Sequence, residues 1–167
     1  MIHVRIASLS VDAASNQPVI ILRPVEPAEE PVRLLPIWIG HAEATAILLA
    51  LQGVEPPRPM THDLLKNVLD SLDSVVSRVE ITRVEDGTFY AAIVVRGEER
   101  TLAIDARPSD SIALAIRTGS PLFVAEEVFD EAAVIEVEEQ DRAPAEEAEV
   151  EQFREFLEHV DPSDFQS

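Results

Sequence analysis

The sequence predicts an α+β fold with a mixed, largely antiparallel sheet, three core helices and an acidic C-terminal helix. Apolar and polar residues alternate along Met1–Val11, and a period of two is typical of a strand with one buried face. Three further alternating segments follow one another through short turns between Val79 and Asp105, which indicates an antiparallel meander. Two apolar helical segments each begin soon after an Arg-Pro pair, so strands and helices are interspersed along the chain.

The first third of the chain predicts three strands and one helix. Strands at Met1–Val11 and Pro18–Pro24 are separated by a polar turn and form a hairpin, and Val32–Ile39 is a third strand. Apolar residues then recur at helical spacing over His41–Gln52. Gly53 follows at the position where left-handed backbone geometry commonly ends a helix.

The middle of the chain predicts a second helix and the meander. Thr61 is predicted to be the N-cap of this helix, with Asp63 in its first turn. The meander consists of Val79–Val84, Thr88–Val95 and Thr101–Asp105. The second helix carries a broad apolar stripe made of Leu64, Leu65, Val68, Leu69, Leu72 and Val76.

The last part predicts a third helix, a short strand and an acidic extension. The helix spans Ser109–Thr118 and the strand spans Leu122–Ala125. We divide the chain into a compact domain, residues 1–127, and an extension, residues 128–167, in which Ala148–Val160 has the narrow apolar stripe of an amphipathic helix. Such a helix is stable only when its stripe is docked, either on this domain or on a partner, and its acidic faces suit a basic protein.

The charge of the chain is strongly negative and unevenly distributed. The net charge is −19; residues 126–167 carry 16 acidic and 2 basic side chains, whereas residues 1–125 carry 16 acidic and 11 basic ones. Nucleic-acid-binding surfaces normally cluster Lys and Arg, but Lys66 is the only lysine and the twelve arginines are scattered. Binding or cleavage of a phosphate-containing substrate would therefore depend on local arginines, helix N-termini or bound divalent cations.

Composition also excludes several classes of protein. No apolar run is long enough to span a bilayer, and the N-terminal segment lacks the pattern of a secretory signal. The sequence has no cysteine, which excludes disulfides, thiolate metal sites and cysteine nucleophiles. We therefore expect a cytoplasmic protein with no membrane association.

The first Arg-Pro elbow, PRPMTHD at Pro57–Asp63, offers one candidate site. His62 and Asp63 could bind a divalent metal, or His62 could transfer a proton near neutral pH, with Arg58 close by in sequence. The alternative is structural: Thr61 and Asp63 cap the helix, and His62 is merely exposed in its first turn.

The second elbow, within DARPSD at Asp105–Asp110, offers another candidate site. Asp105 and Asp110 could hold Mg²⁺ or Mn²⁺, which prefer oxygen ligands, and Arg107 could grip a phosphate with its planar fork of donors. The alternative is an Arg107–carboxylate pair that fixes the strand-to-helix corner, with Ser109 as N-cap.

Three further residues are weaker candidates. Glu43 opens the first helix and would reach a site only if that helix start faces the elbows; otherwise it complements the helix dipole. Tyr90 follows a tight turn on a strand, where aromatic residues commonly serve cross-strand packing. The sole tryptophan, Trp38, is predicted to lie in the core.

Four ordered blocks of this sequence resemble the bifunctional nuclease family, in its bacterial and specifically actinobacterial branch. The blocks are LPIWIGHAEATAI at Leu35–Ile47, PRPMTHDLL at Pro57–Leu65, DGTFYA at Asp86–Ala91 and ARPSDSIALAIR at Ala106–Arg117. The resemblance implies a compact, often self-associating α+β domain and divalent-cation-dependent cleavage of both RNA and DNA. The characteristic polar positions carry over as Glu43, Arg58, Thr61, His62, Asp63, Asp86, Tyr90, Asp105, Arg107, Ser109 and Asp110.

Two hypotheses follow. In the first, the protein is a nuclease in which His62 is the acid or base, Arg58 and Arg107 orient the phosphate, and Ser109 and Tyr90 contact the substrate. In this hypothesis Asp105 and Asp110, with Asp63 or Glu43, hold one or two Mg²⁺ or Mn²⁺ ions. In the second, the protein is a non-catalytic oligomeric binding or regulatory domain, the elbows are structural corners, and the acidic tail recruits a basic partner. The first hypothesis requires that the two elbows face each other across one cleft.

Overall fold

The computed structural model describes residues 1–26 and 31–136, which form eight strands and four helices. The strands are β1 (Ile2–Asp12), β2 (Gln17–Pro24), β3 (Arg33–Trp38), β4 (Val75–Glu85), β5 (Thr88–Arg96), β6 (Thr101–Ala106), β7 (Leu122–Val124) and β8 (Val134–Ile135). The helices are α1 (His41–Leu51), α2 (Thr61–Ser71), α3 (Pro108–Thr118) and α4 (Glu126–Ala132).

All eight strands form one mixed, mostly antiparallel sheet in the order β6-β5-β4-β7-β1-β2-β3-β8. It consists of two antiparallel meanders, β1-β2-β3 and β4-β5-β6. The sequence predicts the second meander and the β1-β2 hairpin, and the structure adds the pairing of β3 with β2. β7 joins the two meanders, because it pairs antiparallel with β1 and parallel with β4. The α+β fold predicted from the sequence is therefore confirmed.

The turn between β4 and β5 shows how local sequence sets this register. Asp86 and Gly87 have φ values of 50° and 75°. Two successive positive φ values are what a two-residue type I′ hairpin needs, and Asp-Gly tolerates them. The turn aligns Glu85 with Thr88, and the pairing continues to Val75 and Arg96.

The core lies between one face of the sheet and the helices. Its fully buried side chains come from strands of both meanders and from α1, α3 and α4, as shown by Leu22, Ile81, Ile47, Leu114 and Phe129. α1 and α2 both pack against α3, which contacts β4 and β5. The start of α3 is therefore held close to the starts of α1 and α2.

Three predictions about packing are wrong. Trp38 is 51% exposed, because Leu35 and Ile37 occupy the core face of β3 and alternation turns residue 38 away. Val76 belongs to β4 and not to the second helix. The apolar stripe of α2 is largely exposed, and His62 is the one buried residue of that helix.

The compact domain continues beyond Glu127. The boundary drawn after residue 127 falls inside α4, whose Val128 and Phe129 are each 1% exposed and belong to the core cluster. β8 then pairs with β3 at the edge of the sheet. The acidic helix predicted at Ala148–Val160 lies outside the described residues.

Across residues 1–26 and 31–136, no helix has the length and apolar character needed to cross a membrane.

Candidate active site at three helix starts

The start of α1 presents Glu43 beside Gly40. Gly40 is the extended residue before the helix, and Glu43 stands in the first turn. The Glu43 carboxylate folds back so closely that a Cβ atom at Gly40 would overlap it. The absence of a side chain at Gly40 thus makes room for the carboxylate, and the dipole of α1 favours a negative charge at this end.

The start of α2 is capped by Asp63 and not by Thr61. Met60 is the N-cap residue, and its backbone N–H donates to Asp63 Oδ2 at 2.9 Å. Thr61 is already the first helical residue, so its predicted role as N-cap is wrong. This geometry turns His62 inward, and only 11% of its side chain is exposed.

The start of α3 also has an extended N-cap residue followed by an aspartate in the first turn. Arg107 is the extended N-cap residue and Pro108 occupies the first turn, where its missing N–H costs nothing. Ser109 is predicted to be the N-cap but lies inside the helix, 6% exposed. Asp110 is in the first turn and points its carboxylate towards α2.

These three helix starts meet in one cluster made of Glu43, His62, Arg107 and Asp110, the helix-start cluster. His62 Nε2 lies 3.0 Å from Asp110 Oδ1. Arg107 Nε donates to Asp110 Oδ2 at 2.8 Å, and Arg107 Nη2 lies 2.7 Å from Glu43 Oε1. The two Arg-Pro elbows therefore face each other, as the nuclease hypothesis requires, and α1 adds a third helix start.

The charges and hydrogen bonds of the cluster keep the Asp110 carboxylate ionised. Partial burial opposes the charge on Asp110, but hydrogen bonds from Arg107 and His62 outweigh it and lower the pKa of Asp110. The same contacts, from Asp110 first and then Glu43, raise the pKa of Arg107. Since the Arg107 side chain is 65% exposed, its guanidinium is paired yet open to solvent.

Asp63 belongs to a second, adjacent pair. Arg117 Nε donates to Asp63 Oδ1 at 2.5 Å, and Arg117 Nη1 donates to the carbonyl oxygen of Ala113. Only 8% of the Arg117 side chain is exposed. This pair joins the first turn of α2 to the last turn of α3, and Asp63 is thereby occupied on both carboxylate oxygens.

Sequence reasoning missed Arg117 and Gly40. A basic residue in the last turn of a helix is usually explained by the helix dipole, so nothing near Arg117 in sequence signalled a partner 54 positions away. The sequence did offer one signal for the close approach of Glu43 to Gly40: a glycine directly precedes a predicted helix, and a glutamate stands in the first turn of that helix.

Other predicted site residues lie apart from the cluster. Asp105 pairs in register with Ala92, whereas Ala106 pairs with the core residue Ala91. Side chains alternate along a strand, so Asp105 lies on the sheet face opposite the helices. Tyr90 precedes Ala91 and lies on that opposite face as well, with the guanidinium carbon of Arg83 3.8 Å from its ring centroid.

Arg58 and Asp86 also stand outside the cluster. Arg58 is exposed on the connector before α2, and among the described residues it forms no ion pair. Asp86 forms the β4–β5 turn. The cluster thus contains four of the predicted positions, with Arg58 near it in sequence.

The carboxylate and histidine side chains of the described residues do not form a metal-binding site made of protein ligands alone. Within residues 1–26 and 31–136, no three His, Cys, Asp or Glu side chains come together as a group that could hold a metal ion. Glu43 and Asp110 share Arg107, Asp63 is paired with Arg117, and Asp105 lies on the other sheet face. Asp105 and Asp110, the two ligands predicted together, are therefore not brought together with Asp63 or Glu43 in the described residues.

The helix-start cluster nonetheless has parts suited to an anion. Side chains from the first turns of three helices meet there, and the positive dipole end of a helix favours carboxylates or phosphates. Arg107 offers an exposed fork of donors, and such a fork binds phosphate bidentately. His62 is held by a carboxylate, an arrangement that fixes the tautomer of the imidazole.

Comparison with known proteins places these features in a family. Residues 20–137 match the family model described as the bifunctional nuclease domain. An "Uncharacterized protein" of Mycobacterium tuberculosis (strain H37Rv) is 42% identical over 168 residues, covering 99% of this chain and 98% of that protein.

Two rice proteins are similar to part of the chain. "Bifunctional nuclease 1" of Oryza sativa subsp. japonica is 30% identical over 94 residues, which is 54% of this chain and 28% of the rice protein. "Bifunctional nuclease 2" of the same plant is 26% identical over 126 residues, which is 74% of this chain and 38% of that protein. The matched region is therefore a minor part of each rice protein.

Proposed function

The chain belongs to the bifunctional nuclease domain family, and on that premise we propose that it hydrolyses phosphodiester bonds in RNA and DNA. The observation that carries this proposal is the convergence of three helix starts on Arg107, His62 and Asp110. The names of the rice relatives support nucleic acid as the substrate.

In the proposed reaction, Arg107 binds the phosphate. Its exposed guanidinium exchanges part of its pairing with Glu43 and Asp110 for two phosphate oxygens, a geometry that a planar fork of donors matches. The positive ends of three helices stabilise the charge that develops on phosphorus-bound oxygen. Arg58, exposed four residues before His62, is a second phosphate contact, and Ser109 lies in the first turn of α3.

His62 acts as the general base for the attacking water. Because a carboxylate can only accept, Nε2 carries the hydrogen that Asp110 receives, and the lone pair of Nδ1 is free to accept another. His62 takes a proton from a water whose oxygen attacks phosphorus. The phosphorus–oxygen bond to the leaving nucleotide breaks, that oxygen takes a proton from solvent water, and His62 then returns its own proton to solvent. Asp110 positions the imidazole through its hydrogen bond to Nε2.

We also propose a requirement for Mg²⁺ or Mn²⁺, and this part rests on the family resemblance. Mg²⁺ is commonly held by one or two carboxylates together with substrate phosphates, and not by an all-protein cage. Such an ion would enter with the nucleic acid, and Asp110 and Glu43 are the carboxylates within the cluster. When bound, it would lower the pKa of a coordinated water and screen the phosphate charge.

The charge of the whole chain predicts weak substrate binding. A net charge of −19 repels a polyanion, so attraction is confined to Arg107, Arg58 and the helix starts. A small number of phosphate contacts gives a shallow but measurable loss of affinity as salt rises.

The proposal predicts that His62→Ala abolishes nuclease activity. Removing a positioned general base lowers a rate by about 10²- to 10⁴-fold. The measurement is cleavage of labelled single-stranded RNA and DNA by purified full-length protein with Mg²⁺, with Mn²⁺ and with EDTA. We expect activity with metal, none with EDTA, and a loss of at least about 100-fold in His62→Ala.

His3→Ala is the matched control, because His3 lies on β1 and contacts Phe123, away from the helix-start cluster. It should cleave at the wild-type rate. Equal activity in His62→Ala and wild type, or activity that follows a contaminant across column fractions, would exclude the proposed mechanism.

A second candidate function is a non-catalytic binding or regulatory domain. The observation that favours it is the pairing of the cluster itself: Arg107 is already neutralised by Glu43 and Asp110. In this case the cluster is a structural corner and the acidic extension recruits a basic protein. Purified protein that binds no RNA or DNA and cleaves neither under any metal condition would favour this candidate.

A further inference from the structure

The second helix docks on the domain with little of its apolar face. Leu69 packs against the core, and His62 is the one buried residue of the helix. Four other apolar side chains of α2 are between 39% and 66% exposed, namely Leu64, Leu65, Val68 and Leu72. A short helix owes most of its stability to packing of its apolar face, so a face left in water holds α2 in place only weakly. The placement of His62 therefore depends on the polar contacts of α2.

Two polar side-chain contacts join α2 to α3 in the part of the chain that the structure describes, and both involve the first turn of α2. His62 Nε2 lies 3.0 Å from Asp110 Oδ1, and Arg117 Nε donates to Asp63 Oδ1 at 2.5 Å. Asp110 is in the first turn of α3 and Arg117 is in its last turn, about 10 Å further along the helix axis. The start of α2 is therefore attached to α3 at two separate points, which resists the pivoting that a single hydrogen bond would permit.

The geometry of the α-helix couples these two contacts. His62 and Asp63 are neighbours in α2, and successive residues of an α-helix lie about 100° apart around its axis. Any rotation of α2 that moves Asp63 away from Arg117 moves His62 by the same angle. The direction in which Arg117 holds Asp63 thus also sets the direction in which the imidazole points.

The Asp63–Arg117 pair is itself held by further contacts. Asp63 Oδ2 accepts a hydrogen bond from the backbone N–H of Met60 at 2.9 Å, and Arg117 Nη1 donates to the carbonyl oxygen of Ala113 at 2.9 Å. Because only 8% of the Arg117 side chain is exposed, its guanidinium has little access to water as an alternative partner. A charge-assisted hydrogen bond at such a site fixes the geometry of both side chains, whereas an exposed ion pair contributes little.

We propose that Arg117 is a positioning residue for His62: through Asp63 it fixes the first turn of α2 and so keeps the imidazole in its hydrogen bond with Asp110. The effect of Arg117 on catalysis rests on the nuclease activity proposed above, in which His62 is the general base. A residue that acts in this way touches neither the phosphate nor the attacking water. Its loss changes the orientation of the base and not the binding of the substrate.

The first test observes the His62 ring directly and needs no substrate. The NMR chemical shifts of the two imidazole nitrogens, measured on full-length protein at mildly alkaline pH, report which nitrogen carries the hydrogen. The His62 signals are identified by their absence from His62→Gln. We expect wild type to carry the hydrogen on Nε2, which faces Asp110, and Arg117→Gln to show a mixture of the two tautomers. Arg117→Lys keeps the charge beside Asp63 and should restore most of the Nε2–H form.

The second test is the rate of cleavage of labelled RNA with Mg²⁺. A displacement of about 1 Å at a catalytic group can cost about 100-fold in rate, so we expect kcat to fall by about 10- to 100-fold in Arg117→Gln. KM should stay within about twofold of wild type, because the proposed phosphate contacts Arg107 and Arg58 are unchanged. Arg117→Lys should recover most of the lost kcat.

Arg33→Gln is the matched control for both tests. It makes the same substitution at another arginine–aspartate pair, in which Arg33 of β3 lies 2.9 Å from Asp130 of α4. Neither residue contacts α2, so the His62 signals and kcat should match those of wild type.

Asp63→Asn keeps the test decisive if Arg117→Gln fails to fold. It breaks the same pair from the partner that is 25% exposed, and the asparagine oxygen can still accept the N–H of Met60. We expect the same mixture of tautomers and the same loss of kcat. Circular dichroism establishes that each variant is folded before it is compared.

Folded Arg117→Gln and Asp63→Asn with wild-type His62 signals would overturn the proposal, whatever their activity. A mixture of tautomers with an unchanged kcat would support the positioning of His62 by Arg117 and would contradict the role of His62 as the general base. Wild type that cleaves neither RNA nor DNA would contradict the proposed function, and the NMR result would still decide whether Arg117 positions His62.

Discussion

Asp110 is the residue at which the two elbows meet. One carboxylate oxygen contacts His62 and the other contacts Arg107, so a single side chain orients both an imidazole and a guanidinium group. The sequence could place each residue at a helix start but could not join them, because 48 positions separate His62 from Asp110. The N-cap of α2 was also misplaced. Asp63, inside the helix, accepts the hydrogen bond from the backbone N–H of Met60, so Met60 and not Thr61 is the N-cap residue.

At the residue scale, the Asp63–Arg117 pair should contribute measurably to stability. The Arg117 side chain is 8% exposed, so removing the charge of Asp63 leaves a nearly buried cation without a carboxylate partner among the described residues. Breaking a fully buried pair costs 3–5 kcal/mol, and because a quarter of Asp63 is exposed we expect Asp63→Asn to lose about 2 kcal/mol. Chemical denaturation at neutral pH measures this loss, and Asp70→Asn on the outer side of α2 is the control.

The same pair predicts a pH dependence of stability. Partial burial opposes ionisation of Asp63, but hydrogen bonds from Arg117 and from the Met60 N–H outweigh it and lower the pKa of Asp63 below its ordinary value of 3.8. The stabilisation is thus fully present above that value and is lost as the pH falls through the lower pKa of the folded state. Denaturation from pH 7 to pH 3 should show a smaller decline in Asp63→Asn than in wild type. Parallel declines would contradict this assignment.

At the element scale, the predictions succeeded where periodicity and turn chemistry agree. The β1-β2 hairpin, the second meander and the α1 and α3 helices follow from alternation, from the Asp86-Gly87 turn and from Gly119, whose φ is 66°. α4 was missed because five of its seven residues are acidic or alanine, and its two buried side chains are adjacent in sequence. Burial of α2 was overestimated, because an apolar stripe indicates that a face will be covered but not what covers it.

Phe129 tests whether α4 is integral to the domain. Its ring is 1% exposed in the core cluster, and Arg33 lies over the ring at 5.9 Å. Truncating a buried phenylalanine costs about 3–5 kcal/mol, so Phe129→Ala should lower the free energy of unfolding by that order. Val134→Ala, at an exposed position shortly after α4, should change it little. A loss no larger than that of the control would show that α4 is peripheral.

At the scale of the whole molecule, the sheet divides the predicted site residues between two faces. Ala91 and Ala106 face the helices, so the neighbouring positions Tyr90 and Asp105 face the other way. The sequence could not show this division, because Asp105 and Arg107 are only two residues apart and the strand ends between them. The pairing of Asp105 with Ala92, which only the structure shows, separates Asp105 from the helix-start cluster.

The most direct test of the account compares two aspartates that the sequence made equivalent. Asp110→Asn and Asp105→Asn make the same chemical change, one inside the helix-start cluster and one on the opposite face of the sheet. The measurement is the rate of cleavage of labelled RNA and DNA by each full-length variant, with Mg²⁺ or Mn²⁺, at equal folded concentration. We expect Asp110→Asn to lose at least about 100-fold and Asp105→Asn to stay near the wild-type rate. Equal losses in the two variants, or a larger loss in Asp105→Asn, would contradict the assignment of catalysis to the helix-start cluster.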